Sequence, residues 1–110
     1  MAAASESEYA VCGIWGAGVG SPVENQAVHS DIPTLVVSGE YDPITPPERG
    51  ALAAETLSRS FVFEFPGVGH GATLAGDCPM SVSVAFLDDP TTEPDSSCIA
   101  GMSGPAFITR

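Results

Sequence analysis

Two residues of this sequence have the types that proton-transfer chemistry needs: Asp42, within Gly39-Glu40-Tyr41-Asp42-Pro43, and His70, within Gly67-Val68-Gly69-His70-Gly71. A histidine takes the proton of a weak nucleophile such as a serine hydroxyl. An acid behind it fixes its tautomer and stabilises the imidazolium. Each residue also has an ordinary reading. An Asp before a proline is most often a turn residue, and a histidine between glycines is most often simply exposed. The pair gains weight only from where the chain places it.

The elements around the pair form a strand–helix–strand unit. Thr34-Leu35-Val36-Val37-Ser38 follows a proline, is β-branched and apolar, and shows no polar alternation. That pattern predicts a strand buried on both faces, as in a parallel sheet. Thr45-Pro46-Pro47-Glu48 reads as a helix start, with Thr45 as N-cap, Pro46 at the first helical position and Glu48 closing a capping box. The helix is expected to reach about Leu57 and to pack through Leu52, Ala53 and Leu57. Phe61-Val62-Phe63-Glu64-Phe65 is the second strand, its phenylalanines on one face and Glu64 on a face that meets water. A last helix is predicted over about Pro79–Asp88, with Met80, Val84 and Leu87 at core spacing. A strand–helix–strand crossover makes the strands parallel, so the loops holding Asp42 and His70 leave one sheet edge. Ligands of open α/β sheets bind at that edge.

The remaining segments carry weaker signals. Residues 1–11 read as disordered and 12–31 as a Gly/Pro-rich loop anchored only by Trp15. The glycines of 12–31 do not make a dinucleotide loop, because no strand precedes them and no helix pattern follows. Residues 32–98 are the ordered region and 99–110 a tail.

The 110 residues are 44% apolar and 15% charged, the balance of a packed globular piece. The net charge is −11 with no lysine, which disfavours nucleic acid and anionic membrane surfaces as partners. No apolar run approaches the ~20 residues of a membrane span. The first residues lack the basic and apolar regions of a secretory signal. Cys12, Cys78 and Cys98 do not have zinc spacing. Cys78 and Cys98 bracket a helix and a Pro-rich tail and so are candidates for a disulfide. That would leave Cys12 to a partner outside the chain, and the alternative is three inert buried thiols. A metal site from His29, His70 and Asp42 lacks ligand spacing, so neither a metal nor a cofactor is expected.

The run from Ile32 to Pro47, Pro66-Gly67-Val68-Gly69-His70-Gly71, Phe86-Leu87-Asp88-Asp89-Pro90 between Cys78 and Cys98, and the Cys12-x-x-Trp15 pair together resemble the C-terminal region of the tripeptidyl-aminopeptidase-like (TAP-like) α/β-hydrolases over residues 12–98. The resemblance implies the βαβα C-terminal portion of an α/β-hydrolase fold, with parallel strands and flanking helices. It implies secreted or cell-envelope bacterial serine peptidases that cleave short peptides from free N-termini. Within it, Asp42 is the triad acid and His70 the base. The chain order of acid before histidine fits. The nucleophile elbow G-x-S-x-G does not occur in the 110 residues. Gly18-Val19-Gly20-Ser21-Pro22 and Gly101-Met102-Ser103-Gly104-Pro105 come nearest. The expectation is therefore two-thirds of a triad, inactive alone, that needs an N-terminal hydrolase portion or self-associates. A non-catalytic interaction module or the end of an esterase are the alternatives.

Overall fold

The computed structural model describes residues 9–16, 18, 20–106 and 108–109. Two six-residue strands, β1 (Thr34–Gly39) and β2 (Ser60–Phe65), lie parallel, in register from Thr34 opposite Ser60 to Gly39 opposite Phe65. Helix α1 covers 9–14, α2 is Pro47–Ala54 between the strands, and α3 is Asp77–Asp88 after them. Short 3-10 turns occupy Pro22–Asn25, Ala72–Leu74 and Ser97–Gly101. The expected βαβα order with parallel strands is thus present.

The strands form because each supplies a face to bury. Phe63 and Phe65 join Val68, Ala72 and Val82 in the core, with Leu35, Val37, Phe61, Cys78, Ile99 and Met102 packed around them. Phe61 meets Phe86 of α3 edge-on, with ring centroids 6.4 Å apart. Val62 and Glu64 point the other way and are exposed, as strand alternation demands. On that other face α2 lies close over β1. A Cβ added to Gly50 would stand 2.8 Å from Ser38 Oγ and 3.0 Å from Val36 Cγ1, so the glycine sets the depth of the contact. β1 therefore has helices on both faces, yet Leu35, Val36 and Val37 remain half-buried. Two strands are too few to enclose it.

Several expectations are corrected. The helix after β1 starts one residue later, with Pro46 as N-cap, Pro47 first and no side-chain cap bond. Thr45 cannot cap it because its hydroxyl donates to Asp42 Oδ2 at 2.7 Å. The helix stops at Ala54, Leu52 and Ala53 are exposed, and Leu57 forms an isolated parallel bridge with Ser30 instead. In α3 Pro79, Val82 and Ser83 are buried and Cys78 and Phe86 half-buried, while Met80, Val84 and Leu87 are exposed. Large apolar side chains at helical spacing pointed to the wrong face. Ser83 is buried because its hydroxyl donates to Pro79 O within its own helix at 2.8 Å, leaving no polar debt inside. Trp15 is 83% exposed and anchors nothing. Helix α1 falls where disorder and loop were expected, and residues 1–8 lie outside the described residues.

Candidate active site

Beyond the last strand pair the two chains keep bonding to each other through their loops. Glu40 N–H donates to Phe65 O at 3.1 Å and Tyr41 N–H to Val68 O at 2.9 Å. In return Gly67 N–H donates to Glu40 Oε2 at 2.8 Å. The strands approach closely here. A Cβ on Gly39 would run into Gly69 O and stand 2.5 Å from Val68 O, so only glycine fits beneath the histidine loop.

This lacing brings the acid to the base. His70 Nδ1 lies 2.9 Å from Asp42 Oδ2 and 3.1 Å from Oδ1. The Asp42 side chain is 5% exposed, whereas the His70 side chain is 52% exposed. Asp42 also closes its own turn. Oδ1 accepts Ile44 N–H at 2.8 Å and Thr45 N–H at 3.0 Å, and Oδ2 accepts the Thr45 hydroxyl. Thr45 Oγ1 sits 3.4 Å from His70 Nδ1 as well, so all three side chains meet at one point.

Burial alone would push the Asp42 carboxyl up. The Thr45 N–H and hydroxyl, the Ile44 N–H and His70 together outweigh it and hold the group well below the usual carboxylate range. At neutral pH Asp42 is therefore ionised and can only accept hydrogen bonds. His70 Nδ1 must then carry the proton of the shared hydrogen bond, and a neutral His70 has its lone pair on Nε2. An acid-oriented imidazole with a free Nε2 is what a general base requires.

The structure thus brings Asp42 and His70 together and joins Cys78 to Cys98, with Cα atoms 5.8 Å apart. Cys12 is free and exposed, which replaces the alternative of three buried thiols. Among the described residues no group of three or more His, Cys, Asp or Glu side chains is placed to hold a metal, so His29 does not join the pair. Among the described residues, clefts also lie away from the pair. One of about 370 Å³ runs between β1 and α3, and one of about 470 Å³ between residues 24–28 and α2. Thr45, Glu40 and Tyr41 were missed as parts of the site. The Asp-x-x-Thr spacing carries the signal for Thr45, since Asp side chains bond backbone N–H groups two and three residues on.

A strand pair whose C-terminal loops carry a hydrogen-bonded carboxylate and imidazole defines an α/β chain of the hydrolase type. The model of the TAP-like protein family matches residues 1–98, so this chain belongs to the TAP-like α/β-hydrolase family. The match begins before residue 12, where the resemblance first becomes visible by eye. No curated protein and no solved structure matches the chain.

Proposed function

We propose that this chain is the acid- and base-bearing part of an exported serine peptidase that acts on short peptides with free N-termini. The observation that carries the reading is the Asp42–His70 hydrogen bond at the C-terminal edge of parallel strands. His70 Nε2 would take the proton of a serine hydroxyl as it attacks the scissile carbonyl, and return it to the leaving amine. Asp42 would hold the ring and stabilise the imidazolium between those steps. In this reading the serine and its oxyanion hole come from another hydrolase portion. Without them most of the rate enhancement is lost, so the chain alone is inactive.

The test has two arms. The purified chain is assayed on short peptide anilides with free N-termini and on nitrophenyl esters, and exposed to a fluorophosphonate that labels activated serines. No turnover and no labelling are expected, and turnover abolished by His70→Ala would sink the claim of inactivity. The reading frame just upstream is then sequenced for G-x-S-x-G. A chain extended by that segment should hydrolyse the peptides and lose on the order of 10⁴-fold or more in kcat with His70→Ala. Preference for esters over peptides would assign it to the esterases instead.

A second reading, a non-catalytic interaction module, draws on the exposed apolar residues Met80, Val84 and Leu87 of α3. An extended chain in which His70→Ala changes no activity would favour it.

A further inference from the structure

One segment outside the acid and base loops touches both of them. The carbonyl oxygen of Ser103 would lie 2.6 Å from a Cβ on Gly67, and the Cα of Gly104 3.0 Å from it. On the other side, a Cβ on Gly104 would stand 2.6 Å from the Tyr41 hydroxyl oxygen and 3.3 Å from ring atom Cε2. Tyr41 directly precedes Asp42, and Gly67 opens the turn that ends at His70. Gly67 has φ +74°, a backbone state that other residues rarely adopt, and it is the residue whose N–H Glu40 holds. The segment is itself tied down: Ile99 and Met102 pack on the core, Met102 N–H donates to Ile99 O at 2.9 Å, and Cys98 is bonded to Cys78 of α3.

We propose that residues 97–104 are a strap that presses the Gly67 turn and the Tyr41 ring together and so sets the His70–Asp42 distance. Ser103 and Gly104 are positioning residues, acting through Gly67 and Tyr41 and touching no reacting atom. The strap deepens the proposed function, because the pair it positions is the acid–base pair of that reading. The disulfide gives the strap a fixed point on the helix that packs under the same sheet. The close approach at Gly67 and Gly104 leaves no room for slack between strap and loops.

The test reads the pair directly and needs no turnover. A chain ending at Met102 keeps the disulfide, Ile99 and Met102 but removes Ser103 and Gly104. With ¹⁵N-labelled histidine, the His70 Nδ1–H resonance is followed by NMR together with its exchange with water. Faster exchange by roughly three- to tenfold is expected, the scale of one net hydrogen bond, with the far-UV circular dichroism retained. Gly104→Val in the full chain, which displaces the Tyr41 ring, should give the same change. Val36→Ala removes packing under α2 and should lower stability while leaving the His70 signal in place. An unchanged His70 resonance and exchange rate in the folded truncated chain overturns the proposal. So does an equal change in Val36→Ala. If the truncated chain unfolds, Gly104→Val decides by the same two readings. Failure of the peptidase assay leaves this result standing, so the two readings fail separately.

Discussion

Thr45 makes two of the contacts that define the Asp42 carboxylate, through its N–H and its hydroxyl, and the same hydroxyl oxygen sits beside His70 Nδ1. Thr45→Val keeps the shape and removes the hydroxyl. The Asp42 carboxyl is then expected to titrate at higher pH, read by its ¹³C chemical shift. An unmoved titration would show that the backbone N–H groups suffice. The same carboxylate gives a pH dependence whose sign is fixed. Its folded value lies below the unfolded value of about 3.9, so its contribution to stability is complete above that and is lost as pH falls through the folded value. Asp89, held down by the Thr91 hydroxyl, and Asp95, held down by the Ser97 N–H, act in the same direction. Asp42→Asn should therefore flatten the loss of stability between pH 5 and pH 2, measured as urea midpoints. An unchanged slope would mean that the other two carboxylates dominate.

At the scale of elements, Gly39 and the disulfide carry the sharpest expectations. Gly39→Ala places a methyl against two backbone carbonyls that have no side chain to swing aside. It should destabilise by about 1–3 kcal/mol, read by urea unfolding. Replacing Cys78 and Cys98 by serine opens a loop between residues 20 apart in sequence and should cost about 3 kcal/mol in the chain-entropy picture. Which elements were legible in the sequence follows from what each signal measures. β2 was legible to the residue face, because Phe61, Phe63 and Phe65 alternate with Val62 and Glu64 and a period of two admits one reading. The edge shared by Asp42 and His70 followed from parallel pairing, a rule of topology that needs no side-chain detail. The buried face of α3 was not legible. Its apolar residues lie all round the helix, and hydrophobicity alone cannot reveal that Cys78 is tied to Cys98 or that Ser83 satisfies itself. The start of α2 was misread because Thr45 fits two local roles. The choice between them depends on Asp42, which the capping pattern does not include.

For the whole molecule, the surface is the informative quantity. Among the described residues, large apolar side chains stand open to water on several elements at once. Ile32, Val62, Leu74, Met80, Val84 and Leu87 are among the apolar side chains left in water. The chain in isolation is expected to associate or to melt with weak cooperativity. Its net charge of −11 opposes association between copies, and salt screens that repulsion. Sedimentation at low and high ionic strength should show heavier species as salt rises. A sharp calorimetric transition from a salt-independent monomer would contradict this picture.

The in-register strands also act as a ruler. They end level, at Gly39 and Phe65, so the acid and the base are each reached by a fixed count of residues from a common line. Deleting one residue from Gly67–Gly69 would shorten the reach of His70 by up to about 3.6 Å, more than any hydrogen bond to Asp42 tolerates. The connections at the opposite end are laced too, by Ser30 N–H donating to Thr56 O, Ser58 N–H to Ser30 O and Thr34 N–H to Arg59 O, but they carry neither the acid nor the base. A length change at that end breaks bonds of the bridge, whereas one at the Gly39–Phe65 end parts the acid from the base.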